Sequence, residues 1–182
     1  MSKRFLSSIL FSALALNLSA APATAQGRQS AIEAEEYAVY SAVVTEIGAR
    51  DWQEALLVWD HTLAKGVPAS SQVDEIVAEL IEDFNRKNAR SYPLGNDLRP
   101  RRPFRYVNEE SMREIWELAT FPPPIITLSR VGFNGAKDRA LVYVSYGRGV
   151  MNRREQFVVL HKEKTGWRVA RKLAVFIPLR PV

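Results

Sequence analysis

Three consecutive prolines, Pro122-Pro123-Pro124, divide this chain into two kinds of sequence. Proline lacks an amide donor, and its ring clashes with a preceding helical turn. No helix can cross the triplet, and the residue before each proline is pushed into an extended conformation. Ahead of the triplet, apolar residues recur at helical spacing. Beyond it they alternate or run continuously, and β-branched and aromatic residues dominate.

The clearest helical signal is Val73, Ile76, Val77, Leu80, Ile81 and Phe84, one apolar stripe with Asp74, Glu75, Glu79, Glu82 and Asp83 on the other face. Ser70 or Ser71 can cap it. An earlier helix is expected over 31–47. Ser30 and Glu33 have capping-box spacing there, and Gly48 can serve as a left-handed stop. Asn108 followed by Glu109-Glu110 caps a short helix holding Met112, Ile115 and Trp116. Between these helices, 55–62 reads as a short buried strand, and 91–106, with three Pro and four Arg, reads as a long loop. Strands are expected at 125–133, 139–146, 155–162 and 167–177, with Asn134-Gly135 and Thr165-Gly166 at hairpin turns. The expected fold class is α+β, with N-terminal helices packed on a C-terminal four-stranded antiparallel meander.

Residues 1–25 read as a cleavable signal peptide. Lys3 and Arg4 form the basic start, Phe5 to Leu18 the apolar stretch, and Ala23-Thr24-Ala25 the small-x-small cleavage site. The apolar stretch is shorter than the roughly 20 residues of a membrane span. Nothing later approaches that length. A periplasmic or secreted protein cut after Ala25 is therefore expected, with 26–182 as one domain.

Composition narrows the chemistry. With no Cys and two His among 182 residues, disulfides, thiolate catalysis and Cys-ligated metals are excluded, and no metal or cofactor is expected. The formal charge of +5 conceals a polarity. Residues 33–83 carry twelve acids and two bases, whereas 84–182 carry twenty bases and eight acids. The two blocks either neutralise each other within the domain or present opposite poles to solvent. Internal neutralisation is favoured, because like charges confined to one surface oppose compaction.

The segment Ile126-Thr-Leu-Ser-Arg-Val-Gly-Phe-Asn134, followed by Arg139-Ala-Leu-Val-Tyr-Val-Ser-Tyr146, resembles small secreted bacterial proteins of unknown function with an "LSRVGFN…ALVYV" core. Glu36-Tyr-Ala-Val-Tyr-Ser41, Trp59-Asp-His-Thr62 and Ser91-Tyr-Pro-Leu94 are similar to that family's earlier segments. The resemblance implies export and an α+β fold, and brings no catalytic residues.

Two local signals carry possible function. Arg99, Arg101, Arg102 and Arg105, interleaved with Phe104 and Tyr106, suit phosphate or carboxylate contacts with stacking. With Arg148, Arg153 and Arg154 they form a candidate surface for an anionic envelope component or a protein partner; no nucleic acid is expected of an exported chain. The alternative is a solvated loop lying on the acidic helix near 71–90. Asp60-His61-Thr62 is the one plausible acid–base cluster, with Arg130 a further catalytic candidate and Ser129, Asn134 and Tyr143 as possible neighbours. Within one strand, Asp60 and His61 would point to opposite faces, which favours a strand-end role. The leading expectation is a non-enzymatic exported binding protein. The alternative is a small hydrolase or lyase centred on His61.

Overall fold

A computed structural model describes residues 32–48, 55–67, 75–120, 123–148 and 152–175. The expected signal peptide, the caps at Ser30 and Ser70/Ser71, and the end of the fourth expected strand at Ile177 lie outside the described residues. In chain order the elements are α1 (Ala34–Gly48), β1 (Leu56–Trp59), α2 (Glu75–Lys87), β2 (Phe104–Val107), α3 (Glu109–Leu118), β3 (Ile125–Leu128), β4 (Gly132–Phe133), β5 (Arg139–Arg148), β6 (Asn152–Glu163) and β7 (Gly166–Ala174).

The fold is α+β, but its sheet is not a four-stranded meander. It is seven-stranded and mixed, in the order β2-β1-β3-β5-β6-β7 with β4 also on β5. β1 pairs in parallel with both β2 and β3, whereas β3, β5, β6 and β7 pair antiparallel. Two expectations fail here for the same reason. Phe104–Val107 looked like loop because it is short and set among prolines and arginines. It becomes a strand only by pairing with β1, register Leu56 to Phe104, far back in the chain. The expected strand 125–133 breaks into β3 and β4 at Ser129-Arg130-Val131, where Arg130 turns inward to a buried carboxylate. Nor do the helices precede the strands, since α2 lies between β1 and β2 and α3 between β2 and β3.

Alternation along the strands gives the sheet two apolar faces. On the first, Leu56, Val58, Ile126, Leu128, Val142, Val144, Val158 and Leu160 pack with Tyr40, Val43, Val44 and Ile47 of α1. On the second, Leu80 and Phe84 of α2 pack on Leu141, Tyr143, Phe157 and Val159, and Met112 of α3 packs on Leu57 and Val107. Burying each such aliphatic side chain stabilises by about 1.5–3 kcal/mol. Helices therefore cover both faces, and α2 and α3 share the second.

The turns differ in detail from expectation. Gly166 has φ +121, as the Thr165-Gly166 hairpin requires. In the β4–β5 turn the left-handed residue is Lys137, φ 53, because the Asn134 side chain accepts from the amides of Asp138 and Arg139 and closes the turn itself. Gly48 is the last residue of α1 and does not have positive φ. Asn108 caps α3 as expected, with Ser111 completing the reciprocal bonds.

Candidate functional site

The charge blocks face each other. Glu33 pairs with Lys137 and Lys87, Glu35 with Lys162, Glu46 with Lys172 and Glu79 with Arg139, each joining an acid of α1 or its lead, or of α2, to a base from the later block. At the centre of this interface Glu36 and Arg130 form a buried pair. Arg130 Nη2 donates to Glu36 Oε1 at 2.6 Å and Nε to Oε2 at 2.8 Å. The Val131 amide donates to Oε2 at 2.9 Å, and the Arg130 guanidinium lies 4.7 Å from the centre of the Tyr92 ring. Tyr40 Oη lies 3.0 Å from the Ser129 carbonyl and 3.3 Å from Oε2. Burial, with the Glu36 charge beside it, pushes the Tyr40 hydroxyl well above its ordinary pKa. The Asn88 side chain bonds the amide and carbonyl of Arg130. This dense set of partners places the catalytic candidate Arg130 in a structural joint between α1, α2 and the β3–β4 break.

The other acid–base candidates do not assemble around His61. Ser129 Oγ is bonded to the Arg130 carbonyl and the Tyr143 amide, and Asn134 closes its own turn. Asp60 and His61 do pair, Oδ1 to Nδ1 at 2.7 Å, contrary to the argument from strand alternation. β1 ends at Trp59, so a bend separates the two residues from strand geometry. His61 is half-exposed and is not among the residues that line the cleft described below.

The arginine-rich loop lies along α1, not on α2. The Arg99 amide donates to Ser41 Oγ at 2.8 Å and the Arg101 amide to Thr45 Oγ1 at 3.1 Å. Phe104 and Tyr106 meet edge to face, ring centres 5.2 Å apart, and pack on the first-face core. Burial raises the Tyr106 hydroxyl to about 12. Its aromatic residues are thus engaged in packing, while Arg101 and Arg105 are exposed. Arg148 and Arg154 are exposed too, at the β5–β6 end of the sheet.

A cleft of about 610 Å³ opens on the second face, beside α3 and beyond the rows that α2 covers. Its lining is Trp59 of β1, Leu63, then Glu109, Met112, Arg113 and Trp116 of α3, Ile125 and Thr127 of β3, Ser145 and Gly147 of β5, and Arg153 of β6. Strand register explains the arrangement. Thr127 stands opposite Ser145, and Ser145 opposite Glu155; in the adjacent row Ile125 stands opposite Gly147, and Gly147 opposite Arg153. Gly147 has φ +155, and a Cβ there would lie 2.1 Å from the Asn152 carbonyl oxygen, so the close approach of β5 to the β6 backbone at this point of the cleft requires glycine.

At the β6 end, Arg153 Nε donates to Ser145 Oγ and lies 3.1 Å from Glu155 Oε1. Glu155 Oε2 is buried without a hydrogen-bond partner, 4.0 Å from Lys65 Nζ. Lys65 in turn lies 5.0 Å from the centre of the Tyr143 ring. Burial and the Glu155 carboxylate raise the pKa of the Tyr143 hydroxyl. Of the residues marked from sequence, Arg153 alone lines the cleft. Thr127 and Ser145 were overlooked, although both are polar interruptions on one face of strongly apolar strands. Among the described residues no cluster of His, Asp and Glu suits a metal. No helix of the described residues is long and apolar enough to cross a membrane.

Compared with protein-family models, curated proteins and solved structures, the chain matches none.

Proposed function

We propose that this is an exported, non-enzymatic binding domain and that the cleft beside α3 is its ligand site. The observation that carries the reading is the cleft itself, an open volume of about 610 Å³ with an apolar wall and a few convergent polar groups. That is the usual constitution of a small-molecule site. Trp116, 54% exposed at its rim, and Leu118, 87% exposed nearby on α3, are the large apolar side chains that a soluble surface would otherwise cover. Thr127, Ser145 and Arg153 suit holding a ligand more than moving its protons. Export rests on the basic, apolar and small-residue succession of residues 1–25.

The neutral dye Nile red tests the binding reading. Its fluorescence should rise on titration with the purified protein, and Thr127→Trp, which fills the cleft from its floor, should abolish that rise while the fold melts normally. A rise that survives Thr127→Trp would move the site elsewhere. Export predicts protein outside the cytoplasm whose first residue is Gln26; an intact N-terminus there would refute cleavage.

A second reading, hydrolysis or elimination at His61, draws on its 2.7 Å contact with Asp60. Turnover of a model ester that is lost in His61→Ala would support it, and turnover unaffected by that change would end it.

A further inference from the structure

We infer that one end of the sheet docks this protein on an anionic lipid surface, with arginines on lipid phosphates and the last turn of α3 in the headgroup layer. Strand register assembles that end from parts far apart in sequence. Phe104 of β2 pairs with Leu56 of β1, Leu57 with Ile125 of β3, Ile125 with Gly147 of β5, and Arg148 with Asn152 of β6. The starts of β1, β2, β3 and β6 and the end of β5 therefore lie together. Arg105 of β2, Arg148 of β5 and Arg154 of β6 are all exposed there. Arg101 and Arg102, also exposed, precede β2 and lie beside the last turn of α1, where the Arg101 amide donates to Thr45 Oγ1. α3 begins past the far end of β2, and the chain re-enters the sheet at the start of β3. A helix of 10 residues rises about 15 Å, enough to run back along a four-residue strand. The last turn of α3 thus comes down to the arginine end.

Two observations point to a lipid surface. The first is charge. At this end Lys172 pairs with Glu46, and Arg153 and Lys65 face Glu155. Among the described residues that leaves Glu114 and Glu117 of α3 against Arg101, Arg102, Arg105, Arg148 and Arg154. From β2 to β6 there are four strand spacings, so the positive charge spreads over about 19 Å. That is too wide for one small anion. It suits a plane of phosphates, each of which a guanidinium can meet through paired hydrogen bonds. The second observation is apolar. Among the described residues, Trp116 and Leu118 are the large apolar side chains left exposed, and both stand at the end of α3. Trp carries an apolar ring and one polar N–H, which suits headgroup level. Basic residues beside exposed Trp and Leu are the composition of a surface that lies on a membrane rather than across it. Of these residues Trp116 alone also lines the cleft, so the two sites can be tested apart.

Co-sedimentation with vesicles tests the proposal. The protein should sediment with phosphatidylcholine vesicles containing about one-third phosphatidylglycerol and stay in solution with phosphatidylcholine alone. Each arginine near such a surface strengthens partition about fivefold, so Arg148→Gln combined with Arg154→Gln should weaken it at least about tenfold. Leu118→Ser should weaken it by a smaller factor. Lys164→Gln combined with Arg168→Gln removes the same charge at the β6–β7 turn, the opposite end of the sheet, and should preserve binding. Every variant should melt like the parent and take up Nile red as before, since none of these side chains lines the cleft. Equal sedimentation with both kinds of vesicle, or anionic binding that survives the loss of Arg148 and Arg154, overturns the proposal. Sedimentation with neither overturns it as well, and leaves the cleft and export readings standing. Capture on immobilised polyglutamate without vesicle binding would assign the surface to an acidic protein instead of a lipid.

Discussion

Two arginine–glutamate pairs in this molecule use the same chemistry for opposite ends. Glu36 and Arg130 are 0% and 1% exposed, and their partners include the Val131 amide and the face of Tyr92. Glu155 and Arg153 are 11% and 42% exposed, meet at 3.1 Å through Nε, and leave one carboxylate oxygen buried without a hydrogen bond. Taking two charges out of water costs several kcal/mol each, and only a complete set of hydrogen bonds offsets that. The first pair has such a set and joins α1 to the strand break. The second is incomplete, and incompleteness at the edge of a cleft is what a ligand can use. Residue types are the same in both, so the surroundings alone set them apart.

The largest expected effect comes from breaking the first pair. Arg130→Met leaves the Glu36 carboxylate buried without its cation and should lower the stability to chemical denaturation by about 3–5 kcal/mol. Adding Glu36→Leu should return much of the loss. If Arg130→Met melts like the parent, the joint is not structural. A smaller effect concerns the ring of ion pairs around it. The Lys137 ammonium beside Glu33 and the Lys162 ammonium beside Glu35 hold those carboxyls below their ordinary value of 4.5. Asp83 is lowered also, since the Phe133 amide and Lys87 outweigh its burial. Depressed carboxyl pKa values add stability that is present above the unfolded pKa and is lost as pH falls through the folded one. The melting temperature should therefore fall on acidification below about pH 4.5. It should also fall as salt rises from low to moderate concentration. A melting temperature indifferent to both would argue against facing charge blocks. The smallest effect on stability is expected at the second pair. Arg153→Gln should cost less than Arg130→Met, because Arg153 is 42% exposed and water replaces part of what Glu155 loses. A loss there as large as that of Arg130→Met would erase the distinction on which the ligand site depends.

Local signals carried the elements with internal logic. α2 announces itself through the stripe ending in Leu80, Ile81 and Phe84, α3 through the Asn108 cap, and β5 to β7 through alternation and the Gly166 turn. What escaped depended on distant partners. β2 is extended because β1 lies beside it, and the 125–133 run is broken because Arg130 has Glu36 to meet, 94 residues away. Candidate sites fared similarly. Arg153 is one of many arginines in the sequence, and Ser145 is a single polar residue in an apolar strand. Their convergence needs the register that places Ser145 against Glu155 and Gly147 against Arg153.

The sequence by itself determined the α+β class, the boundary at the prolines, the absence of cysteine chemistry and the opposition of an acidic and a basic block. Each of these is written in neighbouring residues or in composition. Only the tertiary structure decided that the sheet is mixed, that helices lie on both its faces, and that a cleft opens beside α3 on the second face. Parallel pairing and buried ion pairs join residues far apart in the chain. Periodicity reports which way a side chain points, but not what stands opposite it.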